Sequence, residues 1–232
     1  LKGGYTGAGR DADDPSVTAA DSVGRIAWFE NPGTGGDWVR HDVSRRVRGM
    51  FDQFIARDMD GDGDTDLVFA RRDGAASVIF VNRGDGKFAP MPLAGSEGDH
   101  RKAAVADFDD DGRRDVVLVS TGGDHVVYRQ EGDATFVRHA TFGQPDEVVQ
   151  AIAAADLDGD GDVDLVAGVD GENILYRNAG SGGFVREMLP GMAADTYGVA
   201  LGDMNGDGVP DIVFANSDAP NEVLLGRAGA QE

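Results

Sequence analysis

A nine-residue acidic segment recurs along the chain at nearly constant spacing. It reads DMDGDGDTD at 58–66, DFDDDGRRD at 107–115, DLDGDGDVD at 156–164 and DMNGDGVPD at 203–211, so successive copies start 49, 49 and 47 residues apart. A period of this size restricts the chain to repeat architectures, in which each unit covers its apolar face with its neighbours.

The residues around each copy define the unit. Small apolar residues precede the acidic segment at 54–56, 103–106, 151–155 and 199–202, and bulkier strand-like runs follow it at 67–69, 116–119, 165–167 and 212–214. A further strand-like run comes next (SVIFVNRG, HVVYRQEG, NILYRNAG, EVLLGRAG) and ends on Gly84, Gly132, Gly180 or Gly229. An aromatic residue, Phe88, Phe136 or Phe184, opens a fourth run in three units. Residues 24–38, GRIAWFENPGTGGDW, repeat the third run with Gly33 and Trp38 in the matching places. No stretch keeps a 3.6-residue period, so helices are expected to be few.

Four short strands per unit of about 48 residues is the arithmetic of a β-propeller blade. The expected fold class is therefore all-β, a single domain of four-stranded antiparallel blades over residues 1–232, in units of about 1–49, 50–98, 99–147, 148–195 and 196–232. The first strand carries the Ala and Gly that fit beside a crowded axis. The second is a continuous apolar run because neighbouring blades cover both its faces. Five copies of the third strand give five blades, with a segment of a longer six- to eight-bladed propeller as the alternative. Residues 1–20 hold no acidic loop, and the last unit stops before a fourth strand. An open array would expose sheet edges, so ring closure or assembly with another chain is expected.

Like charges crowded into one turn repel, and a bound cation reverses that cost. In D-x-D-x-D-G-x-x-D, positions 1, 3, 5 and 9 can direct oxygen ligands inward, position 7 can offer its carbonyl, and Gly at position 6 allows the sharp turn. The side-chain ligands predicted are Asp58, Asp60, Asp62 and Asp66; Asp107, Asp109, Asp111 and Asp115; Asp156, Asp158, Asp160 and Asp164; and Asp203, Asn205, Asp207 and Asp211. Asp64, Arg113, Asp162 and Val209 occupy position 7. Hard oxygen donors without His or Cys select Ca²⁺, and a pliable set of five or more suits it better than Mg²⁺. About four ions would bring the formal charge from −21 to −13. An EF-hand would need Glu at position 12, where Phe69, Leu118, Ala167 and Phe214 stand inside strand-like runs. Solvated Asp-Gly turns without metal are the bland alternative, and four copies in register with the Gly kept argue against it.

These loops, each followed by an aliphatic strand, resemble the FG-GAP or VCBS-type repeats of integrin α-subunit propellers and of secreted bacterial proteins. The segment IAWFENPG at 26–33 is similar to the bacterial class, and the resemblance spans about residues 22–229. It implies a calcium-stabilised, usually extracellular propeller that binds proteins or glycans, and some members are domains of polysaccharide-degrading enzymes.

The remaining composition excludes several classes. With 21 Lys and Arg against 42 Asp and Glu, the chain has no basic stripe for nucleic acid. No apolar run approaches the ~20 residues of a membrane span, so membrane insertion is not expected. There is no Cys for disulfides or thiolate metal sites. The chain starts at Leu1 without a charged-then-apolar leader, as expected of a mature form or an excised segment, and further domains of a larger chain are possible partners. Calcium modules that bind at about 10⁻⁴ to 10⁻³ M are suited to an extracellular, cell-surface or periplasmic location.

His41 and His139 occupy equivalent places in WVRH and FVRH, which favours a repeated structural role, and His125 follows a Gly-Gly-Asp turn expected at the surface. His100 precedes a first strand, in the loop class expected to ring one mouth of the central channel. With Phe51, Asp52, Gln53, Arg101, Asp146, Glu147, Asp195 and Tyr197 from that class, it gives a candidate ligand-binding surface; ordinary loop polarity is the competing reading. No Ser-His-Asp spacing, phosphate loop or zinc constellation is present. The sequence thus favours a non-enzymatic binding module for glycan or extracellular protein. A polysaccharide lyase or hydrolase domain and a purely structural scaffold are the alternatives.

Overall fold

The fold was obtained as a computed structural model that describes residues 26–33, 35–44 and 52–227. Every regular element among them is a strand. The first blade is represented by β1 (Ile26–Glu30) paired with β2 (Val39–Ser44). Three complete four-stranded antiparallel blades follow: β3 (Phe54–Arg57), β4 (Asp66–Phe69), β5 (Val78–Asn82) and β6 (Phe88–Pro92); then β7 (His100–Ala106), β8 (Asp115–Ser120), β9 (His125–Gly132) and β10 (Thr135–Phe142); then β11 (Val149–Ala155), β12 (Asp164–Gly171), β13 (Ile174–Asn178) and β14 (Phe184–Met188). The last unit has β15 (Ala194–Gly202), β16 (Asp211–Asn216) and β17 (Glu222–Leu224). The molecule is a β-propeller. The inner half expected of the first blade lies outside the described residues.

Burial separates the strands as their sequences imply. All six residues of β8 are buried, whereas no residue of β10 is, so the second strand is central and the fourth is outermost. The continuous apolar runs serve two interfaces at once. Val116 and Leu118 face the preceding blade, against Val68, Ile79 and Val81, while Val117 and Val119 face the following one, against Leu165 and Ile174. In β12, Leu165 and Ala167 face backward and Val166 faces forward onto Ile212 and Phe214. The core is therefore a series of slabs between blades. Burial at about 25 cal/mol per Å² of apolar surface is the main force holding neighbours together.

Position 2 of the acidic segments is part of this packing wherever a following blade is described. Met59 and Phe108 are both about 1% exposed and insert against the next blade. Met204, whose blade has no described follower, is 56% exposed. Backbone links also join the blades at the edge away from the acidic loops. Gly74 N–H donates to Gly98 O (3.2 Å), His100 N–H to Arg71 O (2.8 Å) and Gly122 N–H to Glu147 O (2.9 Å), and Asp170 and Gly171 pair with Asp195 and Ala194.

Candidate metal centres

Each acidic segment closes the hairpin between the first and second strands of its blade. The residue before position 1 pairs with position 9: Arg57 with Asp66, Ala106 with Asp115, Ala155 with Asp164 and Gly202 with Asp211. Between these ends the chain wraps around its first carboxylate. Asp58 accepts N–H bonds from Gly61 (2.8 Å) and Gly63 (3.1 Å), Asp156 from Gly159 (2.7 Å) and Gly161 (3.1 Å), and Asp203 from Gly206 (2.6 Å) and Gly208 (2.8 Å). In the second loop Asp107 accepts from Asp111 (3.1 Å) and Gly112 (2.8 Å). Position 6 is left-handed in every copy, with φ from 84° to 99°. So is position 4, where Gly61, Gly159 and Gly206 stand and where Asp110 (φ 56°) is the non-glycine exception.

The wrapping gathers carboxylates. One oxygen from each of Asp58, Asp60 and Asp62 lies within 4.8 Å of the others; the same holds for Asp107, Asp109 and Asp115, and for Asp156, Asp158 and Asp160. Oxygens bound to one Ca²⁺ at about 2.4 Å are at most about 4.8 Å apart, so each trio is compact enough to share an ion. The donors are all hard oxygens, which fits calcium on chemistry as well as on spacing. The fourth loop presents Asp203, Asn205 and Asp207, with Asn205 Nδ2 donating to Asp207 Oδ2 (3.0 Å).

Position 9 has a second role that its place in the motif does not announce. Asp66 is fully buried and accepts Met59 N–H on one oxygen and Asn82 N–H on the other, both at 2.7 Å. Asp115, Asp164 and Asp211 repeat the arrangement with Phe108 and Gln130, Leu157 and Asn178, and Met204 and Gly226. This carboxylate ties the loop to the end of the blade's third strand. A polar residue two places before the turn Gly then ties the loop to the preceding blade: Gln130 Nε2 donates to Met59 O (2.7 Å) and Asn178 Nδ2 to Phe108 O (2.8 Å). The signal was present in the sequence as the polar residue two places before the turn Gly in three of the runs, Asn82, Gln130 and Asn178.

Electrostatics distinguish the loops. Burial raises the pKa of Asp60, Asp66 and Asp164 and pushes Asp115 up to about 6, against the lowering effect of backbone N–H donors. Asp203 moves the other way, chiefly through the Gly208 N–H. Arginines partly neutralise the middle loops: Arg129 Nε lies 3.1 Å from Asp109, Arg113 pairs with Asp111, and Arg177 bridges Asp158 and Glu187.

The residues expected around the channel mouth lie at the opposite edge. Phe51 is outside the described residues. Asp52 pairs with Arg72 (3.0 Å), and Gln53 Oε1 accepts Ala103 N–H (3.4 Å) from the next blade. Asp195 receives Gln150 Nε2 and Ser217 Oγ (3.2 Å). Asp146 is exposed, and Tyr197 is 59% exposed. Bulges at the starts of β7, β11 and β15 leave Arg101, Gln150 and Tyr197 without register partners, which re-aims them. Glu147 is buried and holds Tyr176 Oη, Arg186 Nε and Gln144 N–H. Burial pushes its pKa upward, and these donors together outweigh that and lower it.

His125 is a correction. Expected at the surface, it is fully buried against Phe142 and Tyr176; its Nδ1 accepts Ser120 N–H (3.2 Å), and burial lowers its pKa to about 4. The turn before it is exposed, but β9 carries the imidazole inward to the next blade. His41 and His139 also differ: His41 stacks on Trp28 at 4.2 Å and bonds Glu30 (3.0 Å), while His139 is exposed.

Comparison with known proteins agrees with this architecture. Human cartilage acidic protein 1 is 28% identical over 185 residues, which is 70% of this chain and 28% of that protein. The Xenopus tropicalis protein of the same name is 28% identical over 188 residues, 70% of this chain and 29% of that one. The chain thus spans under a third of the length of these relatives. Among solved structures, an Agrocybe aegerita lectin described as recognising non-reducing terminal N-acetylglucosamine superposes with a TM-score of 0.61 at 20% identity, covering 83% of this chain and 56% of that one. BBS1N, solved in complex with ARL6DN, superposes with a TM-score of 0.55 at 14% identity, covering 77% and 55%. The family model for the FG-GAP-like repeat matches residues 58–118, 107–167 and 156–214, a continuous run over well more than half of the sequence that takes in all four acidic loops, and the chain belongs to the FG-GAP-like repeat family.

Proposed function

We propose that the chain is a calcium-stabilised extracellular binding module, with metal at the acidic-loop edge of the blades and glycan or protein recognition at the opposite edge. The observation that carries this reading is the convergence of three carboxylates within 4.8 Å in each of three loops. A repeated cluster of like charge at one edge serves the frame, and the unlike polar loops at the other edge serve recognition. The lectin and the BBS1N complex support a binding use of this fold rather than a catalytic one.

Two measurements test the reading. Calcium bound only by the folded state adds about 0.4–1.4 kcal/mol per site at one to ten times Kd, which is millimolar Ca²⁺ for a Kd of about 10⁻⁴ to 10⁻³ M, so melting there should lie clearly above melting in EDTA. Equal melting temperatures would refute the metal assignment. A glycan array probed in Ca²⁺, with an EDTA-treated duplicate, should give calcium-dependent signals. A blank array from folded, calcium-loaded protein would shift the ligand class to protein.

A further inference from the structure

A cleft of about 290 Å³ opens where the connection from β6 to β7 meets the turn between β8 and β9, at the edge away from the acidic loops. Its volume is at the lower limit of small-molecule sites, which run from about 300 to 1,000 Å³. Four glycines lie in its wall, and its working side chains are Glu97, Asp99, His100, Thr121, Asp124 and Arg138.

Fixed contacts hold the wall. His100 N–H donates to Arg71 O (2.8 Å), Thr121 N–H to Asp99 O (3.2 Å), and Tyr128 Oη to Ala94 O (3.0 Å). Thr121 Oγ1 donates to Asp99 Oδ2 at 2.9 Å. Hydrogen-bonding capacity is nevertheless unspent. His100 is 4% exposed and its Nδ1 has no hydrogen-bond partner. Asp99 Oδ1 also lacks one, since Arg101 Nε stands 3.8 Å away. Buried polar atoms left this way are destabilised, so a ligand that reaches them gains affinity. Glu97, Asp124 and Arg138 are exposed at the rim.

The ligand class follows from the mixture of groups. Carboxylates and a neutral imidazole nitrogen ask for donors, while the Arg138 guanidinium, which also bonds the Tyr128 side chain, keeps further N–H groups for an acceptor. An anion meets three carboxylates, and a cation leaves the guanidinium unanswered. A polyhydroxylated neutral ring offers donors and acceptors on every carbon. We propose that this cleft is a subsite for one neutral sugar residue, with Glu97, Asp99 and Asp124 receiving hydroxyl protons and Arg138 donating to a ring or hydroxyl oxygen. The proposal rests on the glycan reading above and adds its location and its ligand's charge.

The test is a calorimetric titration of the purified chain in millimolar Ca²⁺. The probes are the methyl glycosides of glucose, galactose, mannose and N-acetylglucosamine, with N-acetylneuraminic acid and Nα-acetylarginine amide as charged controls. At least one neutral glycoside should bind, and both Glu97→Gln/Asp124→Asn and Arg138→Gln should weaken it by roughly tenfold or more through lost charge-assisted hydrogen bonds. These side chains are exposed, so melting temperature should be unchanged and a lost signal is not lost folding. Full affinity in both variants, with the glycan array still positive, would overturn the cleft alone. Binding only to a charged control would overturn the ligand class. A blank array together with no glycoside binding would overturn the cleft and the glycan reading.

Discussion

Substituting Asp66 separates the structural role of the acidic loops from the metal-binding role proposed for them. The carboxylate is fully buried and receives two backbone N–H groups at 2.7 Å, from Met59 inside the loop and Asn82 at the end of β5. Asp66→Ala leaves both donors without a partner, and each costs about 1–3 kcal/mol when water cannot replace the lost acceptor. The expected loss is thus about 2–6 kcal/mol, or roughly 4 °C or more in a domain of this size. Asp66→Asn keeps one acceptor and turns an amide N–H₂ toward the other donor, so it should lose about half as much, on the order of 1–3 kcal/mol. Thermal or urea unfolding followed by circular dichroism in EDTA isolates the effect, because metal is then absent from wild type and variants alike. A loss below about 1 kcal/mol for Asp66→Ala would refute the brace and return position 9 to a ligand role alone.

Four further outcomes follow from the same geometry. Asp60→Asn, at a carboxylate whose pKa is raised by burial and by Asp62 and Asp58, should leave melting in EDTA within about 1 kcal/mol while weakening calcium binding in a titration. Asp110→Gly, which relieves a non-glycine φ of 56° where the other loops have glycine, should stabilise by up to about 1 kcal/mol in urea unfolding. Gln130→Ala removes the donor to Met59 O and the acceptor for Arg114 N–H, and should cost about 2 kcal/mol in the same assay. In EDTA, the melting temperature of the wild type should rise relative to that of Asp115→Asn as pH falls from about 6 toward 4: burial raises the folded-state pKa of Asp115 to about 6, so its native carboxyl binds a proton more tightly than the unfolded one. His125, lowered to about 4, and His100, also lowered by burial, oppose this equally in both proteins and cancel in the difference, and in Ca²⁺ melting should fall with pH because protons compete for the ligands.

The repeat made the fold legible before any coordinates. Strand identity followed from residue size and from apolar runs such as Val116–Val119, because a strand covered on both faces has no reason to alternate. The loops were legible for a similar reason, since charge repulsion at Asp58, Asp60 and Asp62 demands an explanation within the loop itself. What stayed hidden depends on partners in another blade. Glu147 read as a loop acid because its partners, Tyr176 and Arg186, lie 29 and 39 residues further on. His125 read as a surface residue because only the fold brings Tyr176 and Phe142 against it. The brace at position 9 was hidden by a stronger local signal, the same Asp completing a metal-binding pattern.

These contacts also decide how a calcium-dependent ligand should be interpreted. Met59 and Phe108 seat their loops on the following blade, and Gln130 and Asn178 bind the same two carbonyls from that blade. Stiffening one loop therefore stiffens two blades. The first strand carries the effect to the other edge: β7 has seven residues, about 3.3 Å each, so its ends are roughly 20 Å apart. His100 stands at one end and Asp107 just past the other. A ligand in the His100 cleft cannot touch an ion held by Asp107 and Asp109 across that distance. Loss of binding in EDTA would then report the rigidity of the frame rather than a bond between ligand and metal, and a second cation that restores melting should restore binding to the same degree.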